Sequence, residues 1–200
     1  NELESIKDKQ IYDRTYLNLQ FDVLKWMEEI IVFSETSSKI YRQSPNIDVD
    51  IGIEIEGRMN KLKQELIVRS KEYAKKVLFA LMITFKISGV NVYNYDFTGE
   101  SFDHDLISGF LSAIQRFGSA ISKRETSMKK LSYRHFEIEI EEAEFTITAL
   151  ITLGYPNRVI INKLKTFVTE FEKSFRKELQ YFQGYVADFK DTEKLIKRLF

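Results

Sequence analysis

The sequence predicts an α+β fold in which a five-stranded antiparallel sheet carries helices, in the order β-β-α-β-β-β-α-α, behind an N-terminal helical extension. Two apolar stretches meet at a glycine turn within residues 77–97, and three more strand-like stretches lie within residues 128–153. Between and after them, apolar residues recur every three or four positions, which is typical of amphipathic helices. These observations divide the chain into an extension, residues 1–76, and a domain, residues 77–200.

The extension begins with residues 1–43, which are expected to form one long helix or two consecutive helices. Apolar residues recur there near helical spacing, with charged residues between them, and they are Leu17, Val23, Leu24, Met27, Ile30 and Ile31. The Ser-Pro-Asn sequence at residues 44–46 indicates a break after this helical region.

Residues 47–55 alternate strictly between apolar and polar side chains. This period of two predicts a half-buried strand, which would extend the sheet at one edge. The aspartates and glutamates in this stretch lower its β propensity, so the start of a helix is the alternative. From residue 58 the apolar spacing is helical, and this helix leads without a linker into the first strand, residues 77–85.

The domain continues with a turn at Gly89, expected to have a positive φ, and a returning strand at residues 90–97. A helix is predicted at residues 106–121, where Gly109 and Gly118 lower the helix propensity and indicate that another element packs close to the backbone. Further strands are predicted at residues 128–133, 136–142 and 145–153. A long helix, broken at Gly184, and a short terminal helix then follow, and the apolar stripe of the long helix, which includes Phe171, Phe175 and Phe182, is interpreted as core.

The strings VLFALMITFKISGVNVYNYDF and DLISGFLSAIQRFGSAI resemble a longin or roadblock-like domain of the profilin-like, SNARE-like fold group, in particular an archaeal-type longin-like protein. The later order of three strands, a long helix and a short helix is similar to that family as well. The resemblance covers residues 77–200, and the helical extension at residues 1–76 departs from a minimal domain of this type.

This resemblance implies a non-enzymatic protein-interaction module without a cofactor. Such domains typically bind or scaffold small GTPases or trafficking complexes, and many form homodimers or heterodimers. Gly109, Phe110, Ala113 and Phe117 match positions on the family's first helix, which makes them the candidate partner-binding residues. The implied location is the cytoplasm, including the cytosolic face of a membrane. Because one fold serves many functions, these implications rest on analogy.

Composition excludes several other classes of protein. The 30 basic and 30 acidic residues cancel, whereas a nucleic-acid binder needs a basic excess to neutralise phosphates. The absence of cysteine excludes disulfides, thiolate metal sites and a cysteine nucleophile. No apolar run reaches the ~18 residues that span a bilayer.

Two groups of residues invite a metal-site interpretation. His104 with Asp103 and Asp105 has ligand chemistry, but a solvated loop that caps the following helix is favoured. The acidic row Glu137, Glu139 and Glu141 is interpreted as the solvated face of a strand rather than as a cation site.

Catalytic chemistry has no candidate residues. His135 is expected in a turn, and neither a phosphate-binding glycine motif nor a GxSxG nucleophile elbow occurs. The sequence therefore predicts no catalytic, cofactor-binding or metal-binding residues. The alternative function is a sensory or signalling domain of a membrane-associated receptor with a PAS-like or profilin-like sheet, because long flanking helices are common in such sensors. An enzyme ranks third.

Overall fold

A computed structural model describes residues 2–42, 49–99, 129–133 and 136–200, together with residues 107, 109 and 113. The chain divides into two compact units, residues 1–76 and residues 77–200.

The first unit is an antiparallel helical hairpin of α1 (Glu2–Arg42) and α2 (Val49–Val77). The ring of Phe21 on α1 lies 6.4 Å from that of Tyr73 on α2. Further along, Glu35 on α1 forms an ion pair with Lys63 on α2. Apolar side chains between the helices are buried, and they include Leu24, Met27, Ile31, Tyr73 and Ala74.

Helix α2 corrects the strand predicted at residues 47–55, because residues 49–55 are helical. Residues 47 and 48 lie outside the described part of the chain. Helix formation is cooperative, so the strongly helical sequence after residue 58 favours its extension toward the N-terminus. An ion pair between Arg58 and Glu54, one turn apart, adds to this extension. Ile53 and Ile55 are exposed, so they do not form the half-buried face of a strand.

The second unit contains β1 (Leu78–Phe85), β2 (Asn91–Asp96), β3 (Lys130–Ser132), β4 (Glu137–Glu142) and β5 (Thr146–Thr152). Every neighbouring pair is antiparallel, and the order across the sheet is β2-β1-β5-β4-β3. The predicted α+β fold with five antiparallel strands is therefore confirmed. Its edge strands are β2 and β3, so the segment at residues 49–55 does not extend the sheet.

Strands β1 and β5, which pair with each other inside the sheet, are almost wholly buried on both faces. Between β1 and β2, Gly89 has a φ of 74° and donates its N–H to the carbonyl of Phe85 at 2.8 Å, as a tight turn requires. On one face, called the Ile138 face, a buried cluster contains Ala80, Met82, Ile138, Ile140, Ala149 and Ile151.

The opposite face is called the α3 face, after the helix α3 (Arg158–Ser174) that covers it. Strand register places Leu81, Leu150 and Glu139 on this face, because directly paired residues project to the same side. The side chain of Glu172 on α3 reaches the hydroxyl of Thr146 on the same face at 2.8 Å. Helix α3 begins at Asn157, whose side chain accepts a hydrogen bond from the Ile160 N–H at 3.0 Å.

The long helix predicted to run through Phe182 is interrupted at Phe175. It continues as α4 (Arg176–Gln180), a 3-10 turn (Val186–Phe189) and α5 (Thr192–Leu199). Phe171 and Phe175 pack against Phe189, with ring centroids 5.9 and 5.4 Å apart. The apolar stripe is core at its buried residues Ile160, Leu164, Val168, Phe171 and Leu179. Phe175 and Phe182 are only half-buried.

Candidate interaction surfaces

A continuous row of exposed apolar side chains runs along α1. Its spacing alternates three, four, three, four and three, and Trp26 and Phe33 keep 66% and 74% of their surface exposed. This row, called the α1 stripe, consists of Tyr16, Leu19, Val23, Trp26, Ile30 and Phe33. Alternating spacings of three and four are the pattern by which one helix packs along another.

The α1 stripe lies beside the residues that α1 buries against α2. Each member of the buried row follows a stripe member by one position, as Leu24 follows Val23 and Ile31 follows Ile30. One residue turns the helix by about 100°, so α1 presents two apolar faces roughly at right angles. The sequence carries the signal for this second face, because the apolar arc of α1 is wider than one partner helix needs.

Charged side chains of α2 border the α1 stripe. A groove of about 150 Å³ is lined by Leu19 and Val23 from α1 together with Arg69 and Glu72 from α2. The ammonium group of Lys76 lies 5.3 Å from the ring centroid of Tyr16. Arg69 Nη2 lies 2.7 Å from Glu65 Oε1. The row Glu65, Arg69, Glu72 and Lys76, called the α2 charge row, therefore alternates in sign along one side of the stripe.

The predicted partner-binding residues are described in part. Gly109 and Ala113 are helical and exposed, one turn apart, whereas Phe110 and Phe117 lie outside the described residues. Ile107 packs against the Ile138 face of the sheet. Of the three described residues, Ile107 thus holds to the sheet, while Gly109 and Ala113 present small side chains to solvent.

The close packing expected at Gly109 is absent. A Cβ atom built at this position would have nothing within 4 Å, so packing inside the chain does not require glycine there. Gly118 lies outside the described residues. The open space at Gly109 leaves room for an external partner to approach its backbone.

The acidic row on β4 corrects the expectation of a solvated face. Glu137, Glu139 and Glu141 pair with β5 residues on the α3 face, which a helix covers. Glu137 is only 1% exposed, and the side chain of Glu139 is 14% exposed. Alternation of side chains along a strand shows that the strand has two different faces, but not whether a helix covers the polar one. The sequence therefore did not reveal that the glutamates of β4 are buried.

Neighbouring side chains compensate the buried carboxylates. Lys130 on β3 lies 3.4 Å from Glu137 and 3.3 Å from Glu139, and the Ser132 hydroxyl donates to Glu137 at 2.5 Å. The Lys130 ammonium group also lies 5.4 Å from the ring centroid of Tyr155. Burial raises the pKa of Glu139 above its ordinary value, and Lys130 partly opposes this shift. These contacts assign Glu137 and Glu139 to the fold rather than to a cation site.

A groove of about 470 Å³ lies between α3 and the β4–β5 turn, with Glu141, Lys165 and Arg176 among its lining residues. Its deepest carboxylate, Glu172, accepts the N–H groups of Glu144, Phe145 and Thr146 at 3.1, 2.9 and 2.8 Å. Arg176 forms an ion pair with Glu144 at 3.0 Å. Glu172, Glu144 and Arg176 are therefore engaged in holding the turn on the helix.

The remaining residues considered for metal binding or catalysis are two histidines and two aspartates. His104, Asp103, Asp105 and His135 all lie outside the described residues. Among the residues that are described, no cluster of three or more histidine, aspartate or glutamate side chains is arranged to hold a metal ion. Within the same part of the chain, no helix has the length and apolarity needed to cross a membrane.

No protein-family model and no curated protein matches this chain.

Proposed function

We propose that this chain is a non-enzymatic protein-interaction module of longin or roadblock type, which binds or scaffolds a small GTPase or a trafficking-type complex. The observation that carries the interaction role is the α1 stripe, in which large apolar residues such as Trp26 and Phe33 face solvent in one continuous row. Soluble monomers rarely expose contiguous apolar patches above a few hundred Å² unless the patch serves an interaction.

The GTPase assignment rests on the family resemblance, and the exposed surface at Gly109 and Ala113 supports it. Both residues are small and lie one turn apart on the solvent side, while Ile107 anchors the same helical stretch to the sheet. Small residues at these two positions allow a partner's side chains to approach the backbone closely. This role is exercised in the cytoplasm, including the cytosolic face of a membrane.

The test is binding of the full chain to a panel of immobilised small GTPases loaded with GDP or a non-hydrolysable GTP analogue. We expect binding that depends on the nucleotide and that falls at least tenfold in Ala113→Arg, because the long cationic side chain blocks close approach. Tyr181→Arg, at an exposed aromatic position elsewhere in the domain, is the matched control and should bind normally. Absence of binding to every GTPase in both nucleotide states would overturn the GTPase assignment and favour the sensory alternative.

A further inference from the structure

We propose that the α1 stripe is the interface of a homodimer, in which α1 packs antiparallel against α1 of a second copy. This inference deepens the proposed function by naming the occupant of the stripe, and it rests on the stripe being an interaction surface. Three features of the hairpin identify a second copy as the partner: the order of side chains along the stripe, the charges beside it and its area.

The spacing of the α1 stripe favours a helix as its partner. Its strict alternation of three and four residues forms a narrow seam along the helix, which is the pattern of helix–helix packing in coiled coils. Helix α2 already covers the neighbouring row that contains Leu24 and Ile31. The two faces of α1 lie about 100° apart, which is the angle between the two neighbours of a helix in a bundle of four. Two hairpins supply those four helices.

The order of side chains along the stripe favours the antiparallel orientation. A two-fold axis midway between Val23 and Trp26 sets the smallest stripe residue against the largest, as Val23 then meets Trp26 of the second copy. The same axis sets Leu19 against Ile30 and Tyr16 against Phe33, so all six stripe residues find a partner. A parallel pair would oppose Trp26 to Trp26 and Val23 to Val23, which gives layers of very unequal volume.

The α2 charge row fits the same axis. From residue 65 to residue 76 it reads negative, positive, negative, positive, so an antiparallel copy reads opposite signs at every position. Arg69 then faces Glu72 of the second copy, and Glu65 faces Lys76. The centres of the charge row and of the stripe lie at the same level of the hairpin, because Leu24 and Arg69 line one groove. One axis therefore satisfies the apolar and the charged rows together, which is the self-complementarity of an isologous interface.

The other border of the stripe carries Asp22 and Glu29, which the same axis brings near each other across the dimer. Lys25 lies 4.0 Å from Glu29 in the same helix and offsets part of this repulsion. Exposed charges of this kind interact weakly, so the apolar seam and the charge row on α2 decide the orientation.

The exposed area is sufficient for a stable pair. With whole aromatic side chains of about 150–250 Å² and the observed exposed fractions, the stripe presents on the order of 600 Å² on each copy. The pair thus buries roughly 1,200 Å², the lower bound of specific interfaces, before the α2 charge rows are counted. Aromatic residues such as Trp26 also supply most of the affinity at interfaces of this size.

The test is sedimentation equilibrium of the full chain in the absence of any GTPase. We expect twice the chain mass of 23.6 kDa, and a dissociation constant raised at least tenfold by Trp26→Asp with Phe33→Asp. Both positions are exposed, so the hairpin should keep its helix content by circular dichroism. Tyr181→Asp, another largely exposed aromatic residue, is the matched control and should leave the dimer intact.

A charge swap tests the orientation. Arg69→Glu alone places like charges across the axis and should weaken the dimer, and adding Glu72→Lys should restore it. A single-chain mass at all concentrations, a dimer insensitive to the stripe variants, or a swap without restoration would each overturn the proposal. A monomer that still binds a GTPase would refute the dimer and leave the proposed function intact. A dimer that binds no GTPase would support the dimer and refute the GTPase assignment.

Discussion

The buried carboxylate of Glu172 links two elements of the domain. It accepts three backbone N–H groups and the Thr146 hydroxyl, and thereby ties the β4–β5 turn to α3. Such bonds to a carboxylate are stronger than bonds between neutral groups, and buried donors left unsatisfied are costly. A glutamate in an amphipathic helix is ordinarily solvated, so the sequence offers no sign of this role.

We predict that Glu172→Ala lowers the free energy of unfolding by about 3 kcal/mol, because several N–H groups lose their acceptor at once. Glu172→Gln should cost less, since one side-chain oxygen remains. Chemical denaturation measures both values. Glu178→Ala, at an exposed position on α4, is the control and should change stability by less than about 0.5 kcal/mol. An equal, small effect at both positions would contradict the role of Glu172.

Glu139 provides a pH-dependent prediction. Its folded-state pKa lies above the ordinary value of 4.5, so between these two values the folded chain binds more protons than the unfolded chain. This contribution to stability therefore increases as the pH falls from neutrality toward 4.5. Glu139→Gln removes it, so the stability of the natural chain relative to Glu139→Gln should rise over that interval. Denaturation curves at several pH values measure the difference, and a flat or opposite trend would contradict the burial described here.

At the scale of elements, the five antiparallel strands could be predicted from apolar patterning and turn residues. The strands at residues 77–85 and 136–142 agree with β1 and β4 within one residue at each end. The alternating isoleucines at residues 47–55 failed as a strand signal, because helix propagation from the following sequence overrides a local period of two. The break at Phe175 was also missed, since no glycine or proline marks it.

The acidic row on β4 failed for a different reason. A strand covered on both faces ordinarily has a continuous run of apolar residues. Strand β4 instead has glutamates on its α3 face, and Lys130 forms ion pairs with two of them, Glu137 and Glu139. Lys130 lies on another strand, so the pairing depends on the fold and is invisible in local sequence. The same limit applies to the α1 stripe, whose pattern is local but whose exposure depends on which row α2 covers.

The extent of α2 gives a prediction at this scale. Gly57 lies inside the helix, is exposed, and has nothing within 4 Å of a built Cβ atom. Gly57→Ala should therefore raise the free energy of unfolding by about 0.5–1 kcal/mol, through higher helix propensity. Gly89→Ala should lower it by about 1 kcal/mol, because its φ is 74°. Thermal denaturation distinguishes the two signs, and destabilisation by Gly57→Ala would contradict a continuous helix.

At the scale of the whole molecule, the two units divide the proposed work. We propose that the hairpin of residues 1–76 supplies self-association through the α1 stripe, and that the domain of residues 77–200 supplies the partner surface around Gly109 and Ala113. Each surface has variants that leave the other unchanged, namely Trp26→Asp and Ala113→Arg. A dimer would present two partner sites together and thereby increase the apparent affinity for GTPases held on a membrane surface.

The most direct measurement of this account is the mass in solution of the full chain by light scattering, first alone and then mixed with GTPases in both nucleotide states. The account predicts twice 23.6 kDa for the chain alone and a heavier, nucleotide-dependent complex that Ala113→Arg abolishes. A single-chain mass at every concentration, together with no co-eluting GTPase, would contradict it.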